Sequence, residues 1–272
     1  MDKRFLIIAR VGDNSLHPEW LKGITPQFDI FLSYFGDQAE KYKDQADFYE
    51  QQKGGKWPKI GEIVEQYWEL ISTYDAVWFP DDDLLTDAQT INRMFSLFSG
   101  HQLSLAQPAL TLQSFYTFPA LLQKRNAHLR YVNFIEVMAP IVSRDALLNI
   151  KHTFGQSPSG WGLDSLWPKL IDNAERNKIA ILDDTPITHT RPVGGELYKK
   201  NPELSPQHDV KALAKQYSKL NIKRRAYENR FRVYQYLAKS GSKGDTLALF
   251  RGKWQKMGSQ IRAKFCRRYQ PQ

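Results

Sequence analysis

Short apolar runs alternate with segments of helical period along the first two-thirds of the chain, and this alternation limits the folds open to it. Arg4–Val11 (RFLIIARV) and Phe28–Phe35 (FDIFLSYF) have the length and composition of buried strands. Pro58–Ser72 (PKIGEIVEQYWELIS) then sets Ile60, Ile63, Tyr67 and Leu70 or Ile71 on one helical face, with Pro58 near its start. Tyr74–Pro80 (YDAVWFP) reads as the next strand. Thr86–Gly100 follows as a helix, with Thr86 as candidate N-cap and Gly100 as its stop. Further on, Val132–Ser143 reads as a strand interrupted by proline, Arg144–Phe154 and Asp164–Asn177 as helices, and Lys178–Pro192 as a strand, a turn and a polar loop. This order predicts an α/β fold with a mainly parallel central sheet, whose ligands collect beyond the carboxyl ends of the strands.

At such an end stand three consecutive carboxylates, in Ala76–Leu85 (AVWFPDDDLL). Asp81, Asp82 and Asp83 repel one another, so they should either meet a cation or lie in water. A hard divalent ion such as Mg2+ or Mn2+ takes oxygen ligands of this kind, together with phosphates from a substrate. The bland alternative has Asp83 capping a turn while Asp81 and Asp82 face solvent. Three other stretches favour the cation. Ser159–Trp167 (SGWGLDSLW) offers flexible backbone, a flat Trp161 and the acid Asp164, which could accept a proton or simply cap the next helix. Ile187–Gly195 (ITHTRPVGG) presents His189, able to complete a metal sphere, and Arg191, suited to phosphate. Glu136 interrupts the apolar Asn133–Ile141, where an acid is expensive to bury unless it is paired.

Charge divides the chain in two. From Lys211 onward there are 17 Lys and Arg against two acids, a net +15, whereas the preceding residues carry −6. A basic tail of this kind meets phosphate, in nucleic acid or on an anionic membrane, or else is a solvated helical appendage. The acidic body argues against nucleic acid as the partner. No stretch approaches the roughly 20 apolar residues that cross a bilayer, and the apolar run at the N-terminus is too short for a signal peptide. Cys266 is the only cysteine, which excludes an intrachain disulfide and fits a reducing cytoplasm. We place a boundary near Asn201–Ser205, separating residues 1–202 from a basic helical extension, 203–272.

Taken in order, Tyr74–Leu85, Gln107–Leu110, Tyr131–Leu147, Ser159–Trp167 and Asp184–Pro192 resemble the family known as domain of unknown function 707. The resemblance covers Phe5 to Gly195 and leaves the tail out. That family is similar to glycosyltransferases of the A-type fold, which use a metal-binding Asp-x-Asp. The resemblance implies Mn2+ or Mg2+ on Asp81, Asp83 and His189. The additional aspartate leaves Asp82 open as an alternative to Asp81, or as a contact to the donor. It further implies Asp164 as the base beside the acceptor, and Arg10, Val11 and Asp13 near the base and ribose; Glu136, on its own chemistry, is the other acid able to orient or deprotonate the acceptor hydroxyl. Chemistry adds Arg191 and, from the basic loop Lys53–Lys59, Lys56 as phosphate contacts, although a solvated surface loop is the simpler reading of that stretch. The implied activity is transfer of a sugar from a nucleotide-sugar donor to a glycan or glycolipid hydroxyl. Its rivals are a metal-dependent phosphohydrolase, which would use water, and a binding protein without catalysis.

The tail has a reading of its own. Phe250, Trp254, Met257, Ile261 and Phe265 fall on one helical stripe flanked by cations, as an interfacial helix requires. A cytoplasmic enzyme lying on the inner face of a membrane, close to a glycolipid acceptor, is the corresponding expectation.

Overall fold

The computed structural model describes residues 4–192, 205–220, 231–239 and 243–244. Strands β1 (Phe5–Val11), β2 (Asp29–Tyr34), β3 (Phe48–Gln51) and β4 (Ala76–Trp78) form a parallel half-sheet in the order β3-β2-β1-β4. β5 (Leu84–Leu85) is a short strand off the main path. The sheet continues from β4 through β8 (Ile141–Ser143), β6 (Leu105–Leu110), β9 (Ile179–His189) and β7 (Ala127–Val132) to β10 (Val233–Ala238) and β11 (Lys243–Gly244). β8 runs against both β4 and β6, and β6 is parallel to β9. Strands β1, β2, β3, β4, β6 and β9 therefore share one direction, and the sheet is mainly parallel. Every side chain from Leu6 to Val11 is buried, as expected for strands covered on both faces.

The helices are α1 (His17–Trp20), α2 (Lys56–Gln66), α3 (Trp68–Ile71), α4 (Ala88–Gly100), α5 (Arg144–Ile150), α6 (Leu163–Leu170) and α7 (Pro206–Gln216). An aromatic cluster ties several of them to the exit of β4. Trp57 packs on Phe154 at 5.0 Å and on Trp167 at 4.9 Å, and Phe79 lies 5.6 Å from Phe154. Trp57 follows Lys56 at the start of α2, and Phe79 precedes Asp81 by two residues, so the cluster fixes both of those groups. Gly160 belongs to the same joint. Its φ is +79°, and a Cβ there would come within 2.4 Å of the Trp57 ring.

Several local expectations are corrected. α2 begins at Lys56, so Lys56 stands at a helix start and not in a solvated loop. Asp87, not Thr86, caps α4 by accepting the Thr90 amide at 2.7 Å. Residues 133–140 are not a strand but a connection along the exit of β4. Their carbonyls are used there: Phe79 N–H donates to Pro140, Asp81 N–H to Met138 and Trp78 Nε1 to Ala139. β9 runs unbroken through Asp183 and Asp184, where a turn was expected. Asp183 is buried but satisfied by Arg130 Nε at 2.8 Å and the Lys124 amide at 2.6 Å, so the strand need not break.

The basic extension is helical at α7, capped by Ser205. Val233–Ala238, however, is a strand, which completes the sheet beside β7 where an edge would otherwise stand open. α7 docks through Val210 and Leu213 and through Asp209. The buried Asp209 carboxylate accepts from Ser159 N at 2.9 Å, Ser159 Oγ at 2.6 Å and Ser157 Oγ at 3.4 Å. Asp209→Ala should therefore cost about 2–3 kcal/mol, the range for losing hydrogen bonds to a charged group. Urea unfolding checks this, and a loss under 0.5 kcal/mol would show that the clamp is dispensable. The 201–204 part of the proposed boundary, Cys266 and the stripe from Phe250 to Phe265 lie outside the described residues. Among the described residues no helix is long and apolar enough to cross a membrane.

Candidate active site

β4 ends at Trp78, and the chain passes Phe79 and Pro80 into the three aspartates. Each carboxylate meets a different positive partner. Asp81 Oδ1 accepts from Lys56 Nζ at 2.5 Å. Asp82 Oδ2 accepts from the Gly12 amide at 2.8 Å, and its Oδ1 lies 3.4 Å from Arg191 Nη1. Asp83 Oδ2 lies 3.2 Å from His189 Nε2. The last contact follows from the pairing of β5 with β9, which sets Leu84 opposite His189. Asp83 is buried, so it is not merely the cap of a surface turn.

His189 is oriented by its other nitrogen, which lies 2.9 Å from the Phe115 carbonyl. A proton on Nδ1 makes that contact a hydrogen bond and leaves Nε2 directed at Asp83. Burial acts to lower the imidazole, but the hydrogen bond to Asp83 and the charges of Asp83 and Asp81 outweigh it and push His189 up to about 9. Asp82 is pushed up to about 6 by burial, against the opposing Gly12 amide and Arg191. Burial also raises Asp81, even with the Lys56 ammonium pulling the other way.

Glu136 sits on the 133–140 connection, its amide donating to Gln107 Oε1 at 2.6 Å. Burial pushes its carboxyl up to about 7, opposed by His189 and assisted by the charges of Asp164 and Asp81. These four groups thus share one electrostatic region. Asp164, in the first turn of α6, is pushed up to about 6 by burial, against hydrogen bonds from Ser165 and Gly162.

Other expected contacts fall differently. The Arg10 guanidinium is committed to Ser33 Oγ at 2.7 Å, the Gln52 carbonyl at 2.8 Å and the Gly54 carbonyl at 2.8 Å. It latches the loop that leads into Lys56. Val11 is a core residue whose carbonyl accepts the Phe35 amide. Asp13 lies at the rim, holding Tyr34 Oη at 2.5 Å and Lys41 Nζ at 3.1 Å. The sequence does not single out Gly12, and it marks Gln107 only as the start of the Gln107–Leu110 motif, without a role. Gly12 has no side chain to notice, yet a Cβ there would lie 2.6 Å from the Phe35 ring.

Among the described residues no set of three or more His, Cys, Asp or Glu side chains is arranged to hold a metal ion. The trio Asp81, Asp83 and His189 is therefore not assembled here, because Asp81 is turned to Lys56. Asp83 and His189 nevertheless suit a divalent ion. Asp83 Oδ1 is buried without a hydrogen-bond partner, and an imidazole fixed through Nδ1 offers Nε2 once the ion displaces the proton that Nε2 shares with Asp83.

These pKa values set a pH dependence. Asp82, Glu136 and Asp164 keep protons in the folded protein that the unfolded chain has already lost, so stability falls as pH rises from about 4 to about 7. His189 contributes stability that is complete below about 6.5 and lost as pH climbs through about 9. Both act in one direction; His17, pushed down to about 4 by burial, opposes them only below about pH 6.5, so the melting temperature should decline from there to pH 9. Glu136→Gln should flatten the first part of that decline and melt higher than wild type at pH 8. A melting temperature that rises over this range would contradict the assignment.

Comparison with solved structures identifies the fold. The crystal structure of S. aureus TarS matches with TM-score 0.52 at 14% identity, covering 84% of this chain and 44% of TarS. The chain thus spans less than half of that protein. TarS 1–349 matches with TM-score 0.51 at 15% identity, covering 84% of this chain and 73% of that one. TarS 1–349 in complex with UDP-GlcNAc matches with TM-score 0.48 at 14% identity, covering 78% and 71%. The architecture is that of the A-type glycosyltransferases. No functionally curated protein matches the chain. A family profile matches residues 64–238, more than half of the chain, and it reaches through α7 and β10 into the stretch that the motif resemblance left out. The chain belongs to the family described as "Protein of unknown function (DUF707)".

Proposed function

We propose that the protein is a metal-dependent glycosyltransferase that moves a sugar from a nucleotide-sugar donor to a hydroxyl of a glycan or glycolipid. The observation that carries this reading is the Asp83–His189 pair, with its orphaned buried oxygen, beyond the carboxyl end of β4 and beside two acids of raised pKa. Asp83 and His189, joined by Asp81, would hold Mn2+ or Mg2+. When bound, the ion neutralises charge on the departing diphosphate. Arg191 and Lys56 supply further positive charge for the phosphates. Asp82 holds the Gly12 turn and Arg191 in register. Arg10 fixes the 52–54 loop, and Val11 and Asp13 border the side on which the base and ribose would lie.

Asp164, at about 6, is mostly ionised at neutral pH and can take the proton of the attacking hydroxyl. Glu136, at about 7, can hold that hydroxyl as donor or acceptor. Residues 1–202 would carry the chemistry. The extension from 203 onward would bring its basic, aromatic tail to an anionic membrane on the cytoplasmic side. Flotation with anionic vesicles, comparing the full chain with one ending near Ser240, tests the membrane part. Equal, negligible flotation of both would remove its support.

The activity is tested by incubating nucleotide sugars with candidate acceptors and Mn2+, and following release of the nucleoside diphosphate. Release that needs an added acceptor supports transfer. Release of nucleoside monophosphate and sugar phosphate, with no acceptor present, would support the phosphohydrolase instead.

A further inference from the structure

Lys56 does more than pair with one aspartate. Its Nζ lies 2.5 Å from Asp81 Oδ1, 3.0 Å from the Phe79 carbonyl, and 3.2 Å from the carbonyls of both Val137 and Met138. Four oxygens thus surround an ammonium that has three protons to donate. Three of them come from backbone on two segments, the exit of β4 and the 133–140 connection. The Lys56 side chain is only 18% exposed. A hard-oxygen cage of this kind suits a small cation, and here the chain supplies the cation itself.

We propose that Lys56 is a resident counter-ion that keeps Asp81 out of the metal set until a diphosphate draws it away, so that metal and nucleotide bind cooperatively. The inference rests on the metal-dependent reading above. While Lys56 occupies Asp81, a divalent ion has only Asp83 and His189 and must also face a fixed positive charge nearby. A diphosphate offers the ammonium stronger acceptors than one carboxylate, and the carboxylate it leaves completes the ion's ligands. The change is confined to a side chain. The backbone before Lys56 is anchored by Arg10 on the Gln52 and Gly54 carbonyls, and Trp57 is locked in the aromatic cluster. Nucleotide and metal would then each raise the other's affinity by the same factor, as linkage requires.

The test is Mn2+ binding, read from the resonance of free Mn2+, with and without UDP as the diphosphate probe. Wild type, Lys56→Met and Lys56→Gln are compared. The glutamine amide can still donate to the cage carbonyls, so it keeps the local fold if the methionine variant loses it. Melting curves show which variants are folded. Removing the charge should tighten Mn2+ binding without UDP by about tenfold, within the usual range of such couplings, and shrink the effect of UDP on it. If wild type binds Mn2+ and the folded variants bind it no more tightly, the lock is overturned and the metal reading stands. If no form binds Mn2+, with or without UDP, the metal reading fails and the lock fails with it.

Discussion

Asp83→Asn should abolish the metal-dependent stabilisation of the protein by a nucleoside diphosphate. At ligand concentrations about 100 times the dissociation constant, linkage gives roughly 2.7 kcal/mol, which for a chain of this size is a rise of about 5–10 °C in melting temperature. Wild type should show that rise with UDP and Mn2+ together. The variant should show none, although its own fold persists, because asparagine keeps the shape of the side chain and removes only its charge. The same substitution should release His189 from its strongest partner and lower its pKa, since the Asp83 hydrogen bond and charge are what raise it. NMR titration of the imidazole reads that directly. A metal-independent shift that survives in the variant would overturn the role given to Asp83.

Asp164→Asn should act on turnover and leave donor binding alone. Loss of a general base costs about 10²–10⁴ in rate. The wild-type rate should rise with pH through about 6, as the Asp164 carboxyl ionises, and the variant's residual rate should lack that limb. An unchanged donor affinity with collapsed kcat places Asp164 on the acceptor side. Loss of donor affinity, or failure to fold, would make it instead a donor contact or a structural group in the first turn of α6.

How much of this was legible beforehand depends on whether the cause was local. β1, β2 and β4 could be read because strands buried on both faces need nearly continuous apolar runs, and "FLIIARV" can hardly be anything else in an α/β chain. The 133–140 connection could not. "FIEVMAPI" has strand-like composition, but its carbonyls are taken by Phe79, Asp81, Trp78 and Lys56 rather than by a ladder. β10 was missed for a similar reason. Its strand character comes from the open edge of β7, more than 100 residues earlier in the chain.

The site shows the same division. That Asp81–Asp83, Glu136, Asp164, His189 and Arg191 deserve notice follows from residue type and place alone. Which cation answers each aspartate does not. Lys56 reaches Asp81 across 25 residues, His189 reaches Asp83 through the β5–β9 pairing, and Asp82 is answered in part by the amide of Gly12, a residue with no side chain to read. The family resemblance, through the early strand ends, places Arg10 near the nucleotide. Its guanidinium is instead spent on backbone carbonyls, a use that any arginine in a loop-lined crevice can have.

Calorimetric titration of the full chain with a panel of nucleotide sugars, each with and without Mn2+, decides whether the Asp83–His189 site binds a donor through a metal. At least one donor should bind measurably with the metal and not without it, and Asp83→Asn should remove this binding. Binding of no donor under either condition, or equal binding with and without the metal in wild type and variant alike, would contradict it.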